Sequence, residues 1–187
     1  MLIRSRMGVS IDGFVATAEG VPTLVSMPDF VPGVSHGYPA FIEDCDAVLM
    51  GRSTFLPALG APEWPWRDLQ VFVMTSSPLP AQTPPGVVAV SGGPGQAVQR
   101  LRNRGSDKDV HVVGGPLTIQ GLAEVGALDR LEVVVLPLVL GTGVPLSPPG
   151  TRASRLRLLN DPRVHPDGSV ELVYDAREEA TIPPGPA

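Results

Sequence analysis

The 187-residue chain holds one cysteine, Cys45. A lone cysteine excludes an internal disulfide framework and fits a reducing compartment. Three histidines, His36, His111 and His165, stand too far apart in sequence for any recognised metal spacing, so no metal site is expected. Lysine is nearly absent: Lys108 is the only one, and the rest of the 14 basic residues are arginine. Against 19 acidic residues they leave a net charge of -5, which offers no general attraction to nucleic acid or to an anionic membrane. No segment approaches about 18 uninterrupted apolar residues, so no membrane span is expected. The basic start, Met1 to Arg6, has no apolar core of signal-peptide length behind it. These absences together lead to the expectation of a soluble cytoplasmic protein.

What is present is a chain with 43% hydrophobic residues, enough for a core and too many for disorder. The 21 glycines and 22 prolines fall between the apolar runs, as punctuation in an α/β fold does. One domain over residues 1–177 is expected, followed by a loose Glu- and Pro-rich tail at 178–187. Strands are expected at Leu2–Ser10, Phe14–Ala16, Asp46–Met50, Gln70–Met74, Val87–Val90 and around Val110. Helices are expected at Tyr38–Asp44, Arg52–Leu59, Gly95–Arg104 and Leu117 to about Val125. This alternation predicts a mainly parallel twisted sheet with helices on both faces. Arg130–Leu140, Arg155–Leu159 and Ser169–Tyr174 read as strands without helices between them, and Asp167-Gly168 is a hairpin signal. The sheet should therefore end antiparallel. Thr17–Gly37 lacks a period, and a loop of that length is commonly a lid or a binding loop.

Three strand ends carry residues suited to phosphate. Asp109 to Leu122 runs from an apolar strand through Gly114-Gly115 into a helix, where free backbone N–H groups and the helix dipole favour an anion. Glycines there let a ligand approach without a Cβ in the way. Met50-Gly51-Arg52-Ser53-Thr54 adds a planar cationic fork and hydroxyls, and Thr75-Ser76 adds two more hydroxyls. In an open α/β sheet, ligands bind outside the carboxyl ends of the strands, and all three sites belong to that edge. Gly92-Gly93-Pro94-Gly95 does not satisfy the dinucleotide fingerprint and reads instead as a loop with Pro in the first helical turn.

Ser10-Ile11-Asp12-Gly13, Asp46 to Thr54, Val73 to Ser77, Val112 to Gly115 and Leu136 to Leu146 together resemble the dihydrofolate reductase superfamily. Within it they resemble the branch containing the reductase domain of the bacterial riboflavin-biosynthesis deaminase–reductase, over residues 2 to 175. The resemblance implies a dihydrofolate-reductase-like fold and an NADPH-dependent reductase that transfers a hydride to a small heterocyclic, imine or carbonyl substrate. It implies that Arg52 contacts the adenosine 2′-phosphate region and that Gly51 and Thr54 reach the diphosphate. Thr75, Ser76 and Ser91 would hold the adenosine side. Gly114 and Gly115 match a pair often joined by a cis peptide, lying with Pro116, Leu117 and Thr118 against the diphosphate and nicotinamide ribose. Gly8, Val15 and Ala16 would cup the nicotinamide. Asp12 stands beside that pocket as the candidate catalytic residue, or else as a turn-forming Asp before Gly13; Ser10, Phe14, His36, Leu140 and Gly141 are the candidate substrate contacts, with His36 also a candidate proton donor and water the alternative proton source.

Two departures bear on the substrate. Riboflavin reductases commonly carry a basic residue after the Asp-Gly, where this chain has Phe14; folate reductases carry a carboxylate on the first helix, to which Asp29, Glu43 and Asp44 do not clearly align. The zinc deaminase half, which needs His-x-Glu and Pro-Cys-x-x-Cys, is excluded by the single cysteine. Two alternatives remain: a 5-amino-6-(5-phosphoribosylamino)uracil reductase of riboflavin biosynthesis, and a non-catalytic NADPH-binding dimer. A homodimer is expected in any case, from the resemblance and from the apolar run Leu131–Leu140.

Overall fold

The computed structural model describes residues 1–177; the expected tail at 178–187 lies outside the described residues. The chain begins with β1 (Ile3–Ser10) and β2 (Phe14–Ala16), crosses a long loop with two 3-10 turns, and enters α1 (Tyr38–Glu43). Next come β3 (Cys45–Gly51), α2 (Arg52–Ala58), β4 (Gln70–Met74), β5 (Val88–Val90) and α3 (Gly93–Arg102). Then follow β6 (Asp109–Gly114), α4 (Pro116–Glu124) and β7 (Arg130–Leu136). The short β8 (Val144–Pro145), β9 (Arg157–Leu158) and β10 (Arg163–Val164) precede β11 (Val170–Asp175).

The main sheet runs β10-β11-β7-β1-β6-β3-β4-β5, with β9 against β11. Every pair from β7 through β5 is parallel, and the pairs made by β11 are antiparallel. Hydrophobic residues on both faces of β3 and β4 explain why they lie inside the sheet with cover on each side. Ala47, Leu49 and Phe72 pack under α3 and α4, while Val48, Met50, Val71 and Val73 pack against Phe55 and Trp66 on the other face. Strands apolar on both sides need helices on both sides. Cys45 is buried at the start of β3, and its thiol is pushed up to about 12 by burial, which outweighs the nearby Arg4 cation. It is a small apolar residue here, not a nucleophile.

The C-terminal third differs from the sequence expectation in detail. Arg130–Leu140 is not one strand: β7 stops at Leu136, since Pro137 has no N–H to continue the ladder. Its second face is also not wholly apolar, because Glu132 is buried there among arginines. The expected strand at Arg155–Leu159 shrinks to β9. Asp167-Gly168 does form the hairpin turn, closed by the His165 and Ser169 backbone at 2.9 Å, with Gly168 at φ 82. The β2–β8 ribbon had no clear sequence signal, as two residues give no readable period.

Candidate functional site

Parallel registry sets four strand ends side by side. Gly114 of β6 lies opposite Met50 of β3, Gly51 opposite Met74 of β4, and Met74 opposite Val90 of β5. The residues that follow, Gly115, Arg52, Thr75 and Ser91, therefore form one row on the carboxyl edge. The spacing between neighbouring strands of about 4.8 Å makes it a row of molecular length. Gly51 and Gly115 are the N-caps of α2 and α4, and neither cap is closed by a side-chain hydrogen bond. Gly51 has to be glycine: a Cβ would lie 2.9 Å from Thr118 Oγ1, where α4 closes onto β3. Gly114 and Gly115 are joined by a cis peptide bond, as the resemblance implies. Thr54 Oγ1 stands 3.7 Å from the position a Cβ would take on Gly115. Pro116 is buried, Thr118 is buried, and Leu117 is exposed.

Arg52 donates to the Pro78 carbonyl at 2.9 Å and to Thr75 Oγ1 at 3.4 Å. No carboxylate among the described residues pairs with it, so its charge is oriented but not neutralised. The Thr75 hydroxyl also caps its own turn, accepting from the Ser77 amide at 3.1 Å. Ser76 and Ser91 are surface residues beside it.

Beneath the Gly114 end lies a cavity of about 330 Å³. Met7, Gly8, His111 and Val113 form its floor on β1 and β6. The long loop forms its roof through Pro22, Leu24, Phe30 and His36, and the packing is close enough that a Cβ on Gly8 would lie 2.3 Å from Leu24 Cγ. Tyr38 and Trp66 supply aromatic walls, and Val15 reaches in from β2. Ala16 is buried just past it. The loop expected to shape a pocket does so, and it folds as two 3-10 turns because its closely spaced Pro and Gly allow no longer helix.

Of the candidate substrate contacts, only His36 lines this cavity. Ser10, Phe14, Leu140 and Gly141 are held in a separate turn around Asp12. The Asp12 carboxylate accepts from the Leu140 amide at 3.1 Å and the Gly141 amide at 2.7 Å. Ser10 Oγ accepts from the Phe14 amide at 3.0 Å, and Phe14 pairs with Pro145 in the ribbon. The Ser10 hydroxyl and those two amides hold Asp12 below the usual carboxylate range. An acid stabilised as its anion is a poor proton donor near neutral pH, and these bonds give Asp12 the turn-forming role.

The structure adds groups that the sequence reading missed. His36 has φ 56, the only positive φ of a non-glycine among the described residues. Arg6 donates to its carbonyl, and its Nε2 lies 2.7 Å from Asp167 on the β10–β11 hairpin. Partial burial alone would raise Asp167, but the Ser169 hydroxyl and amide and His36 bring it down to about 2. Arg6 itself is clamped by Glu132 and Glu171, each at 2.8 Å. Burial alone would lower its pKa; Glu171 and Glu132 outweigh that and hold it above the ordinary value. Arg4 bridges Glu132, Asp109 and Asp44 in the same layer, which places Asp44 in an ion pair rather than at a substrate. Alternation of Arg4 and Arg6 in β1 was the available signal, but their acidic partners lie 40 to 165 residues away.

A family model described as the RibD C-terminal domain matches residues 2–167. The uncharacterized protein YwjB of Bacillus subtilis is 29% identical over 153 residues, covering 81% of this chain and 86% of that protein. Among solved structures, a putative riboflavin biosynthesis protein from Shewanella sp. PV-4 superposes with a TM-score of 0.78 at 23% identity, covering 94% of this chain and 98% of the other. Dihydrofolate reductase from Enterococcus faecalis, complexed with NADP(H), gives a TM-score of 0.62 at 15% identity, covering 93% and 95%.

Proposed function

The chain belongs to the RibD C-terminal domain family, and on that premise we propose that it is an NADPH-dependent reductase of a small heterocyclic, imine or carbonyl substrate. The observation that carries this reading is the row of strand ends: two uncapped glycine N-caps, an arginine that no carboxylate among the described residues pairs with, and hydroxyls, leading to a mostly apolar cavity. That row fits NADPH. Gly51, Thr54, Gly114, Gly115, Pro116, Leu117 and Thr118 would receive the diphosphate and the nicotinamide ribose. Arg52 would meet the 2′-phosphate, with Thr75, Ser76 and Ser91 along the adenosine. Gly8, Val15 and Ala16 would border the nicotinamide where the row meets the cavity. When bound, NADPH supplies the hydride.

The protein's own part is to orient the ring, exclude water and supply a proton. The cavity roof does the excluding. His36 is the side chain placed for the proton: its Nε2 is held by Asp167, while its Nδ1 is buried in the cavity wall without a partner. Titration calorimetry with NADPH, followed by NADPH oxidation against pterins, pyrimidines and small ketones, tests the reading. Micromolar binding and turnover of one class are expected. Binding without any turnover would favour the non-catalytic dimer, and no binding at all would end the proposal.

The reading includes a homodimer. Leu131, Val133 and Val135 of β7 share a face with Val9 of β1 and Leu172 of β11. Helices α3 and α4 cover that face only near β3 and β6, and Leu131, Val135 and Leu172 remain half-buried. A two-fold partner would cover them. Light scattering at micromolar concentration should give twice the chain mass; a monomer mass would remove this part.

A further inference from the structure

We infer that the 330 Å³ cavity is built for a planar, uncharged substrate with a hydrogen-bonding edge and discriminates against a phosphate-bearing one. This rests on the reductase reading above and names the substrate class for that site. Its walls are apolar or aromatic, with Leu24, Phe30, Tyr38, Trp66, Val113 and Val134 facing inward. Such walls favour a flat ring that can stack and bury its faces.

Charge is the discriminating feature. Arg6 is the only arginine or lysine in the lining among the described residues, and its side chain is 7% exposed. Its Nη1 is held by Glu132 and Glu171 and its Nη2 by the His36 carbonyl, so its charge is already paired. No carboxylate lines the cavity among the described residues, so neither charge sign is met by a free partner. A phosphate entering would lose its water for a wall that cannot compensate it.

The polar groups left over are imidazole nitrogens. Four buried side-chain polar atoms lack a hydrogen-bond partner among the described residues, and three belong to this cavity's wall: His36 Nδ1 and both ring nitrogens of His111. Buried polar atoms without partners are rare, and their gathering in one wall points to a ligand that supplies the missing bonds. His111 has its pKa pushed down to about 3: burial lowers it most, the Arg6 backbone opposes that, and the Arg4 and Arg6 cations add to the lowering. It is therefore a neutral ring at physiological pH, one nitrogen donating and the other accepting. Whichever nitrogen meets the ligand can donate to a ring carbonyl or accept from a ring N–H, both of which a neutral lactam or amide offers.

The test uses matched probes, with and without saturating NADP⁺, by calorimetry. Quinazolin-4-one offers a planar neutral lactam; 2-naphthol and 2-naphthyl phosphate differ only by the phosphate. Quinazolin-4-one should bind most tightly, and 2-naphthyl phosphate should bind more weakly than 2-naphthol by roughly tenfold or more. His111→Phe keeps the ring volume and removes both nitrogens. It should weaken quinazolin-4-one selectively, leaving 2-naphthol and NADP⁺ nearly unchanged. Equal or tighter binding of the phosphate ester would overturn the inference, as would failure of both uncharged probes. If NADP⁺ alone fails to bind, the reductase reading falls, while the probe titrations without it still decide the chemistry of the cavity. Should His111→Phe not fold, the wild-type comparison of the naphthyl pair stands by itself.

Discussion

Gly115→Ala is expected to abolish NADPH binding while the free protein stays folded. Gly115 has φ -82, a conformation open to any residue, and an added Cβ meets nothing nearer than Thr54 Oγ1 at 3.7 Å. The methyl group therefore fits the free protein. At a backbone-compatible site the change even removes freedom from the unfolded chain, worth about 0.4–1 kcal/mol. A diphosphate lying against the first turn of α4 would instead meet that methyl head-on, because close approach to this backbone is what the glycine allows. Calorimetry should show no NADPH binding, and the thermal midpoint without ligand should move only a few degrees at most. Normal affinity in the variant would remove the diphosphate from α4. Gly114, at φ 119, is the wrong place for this test, since any side chain there strains the backbone.

Arg52→Ala is expected to weaken NADPH binding far more than NADH binding. The guanidinium is held in place by the Pro78 carbonyl and the Thr75 hydroxyl, and no acid among the described residues neutralises it. A hydrogen bond to a charged group contributes about 1.5–3 kcal/mol, or about ten- to hundredfold in affinity. Both cofactors share every other contact in the row, so only the 2′-phosphate separates them. Affinities of both dinucleotides for wild type and variant, measured at one ionic strength, decide the matter. Equal losses would mean that Arg52 serves the loop at Pro78 and not the phosphate.

The cofactor row was readable because its members are local. Gly51-Arg52, Thr75-Ser76 and Gly114-Gly115 each follow an apolar strand, and the parallel registry of β6, β3, β4 and β5 brings those ends together. The substrate side was not readable in the same way. Ser10, Phe14, Leu140 and Gly141 were grouped with it because they flank the Asp12 turn. In the fold that turn closes on itself, since one carboxylate accepts both amides of the 140–141 segment. The cavity instead draws its walls from β1, β6, the long loop, α1 and the segment before β4. No short window of sequence contains that set.

Sequence alone determined the class of fold, the order of its strands and helices up to α4, and the positions of the glycines and of Arg52 at the carboxyl edge. Those follow from hydrophobic period and turn chemistry, which act over a few residues. Only the tertiary structure decided that β6 inserts between β1 and β3, which sets Gly114 beside Gly51. It alone decided that β7 buries Glu132, and that the arginines of β1 are neutralised by acids from β7 and β11. It also decided that His36 meets Asp167, 131 residues further along the chain, and that His111 keeps two unpartnered nitrogens in an apolar wall. The reason is physical: local pattern fixes which face of a strand is buried, whereas the partner of a buried charge is chosen by packing between distant segments.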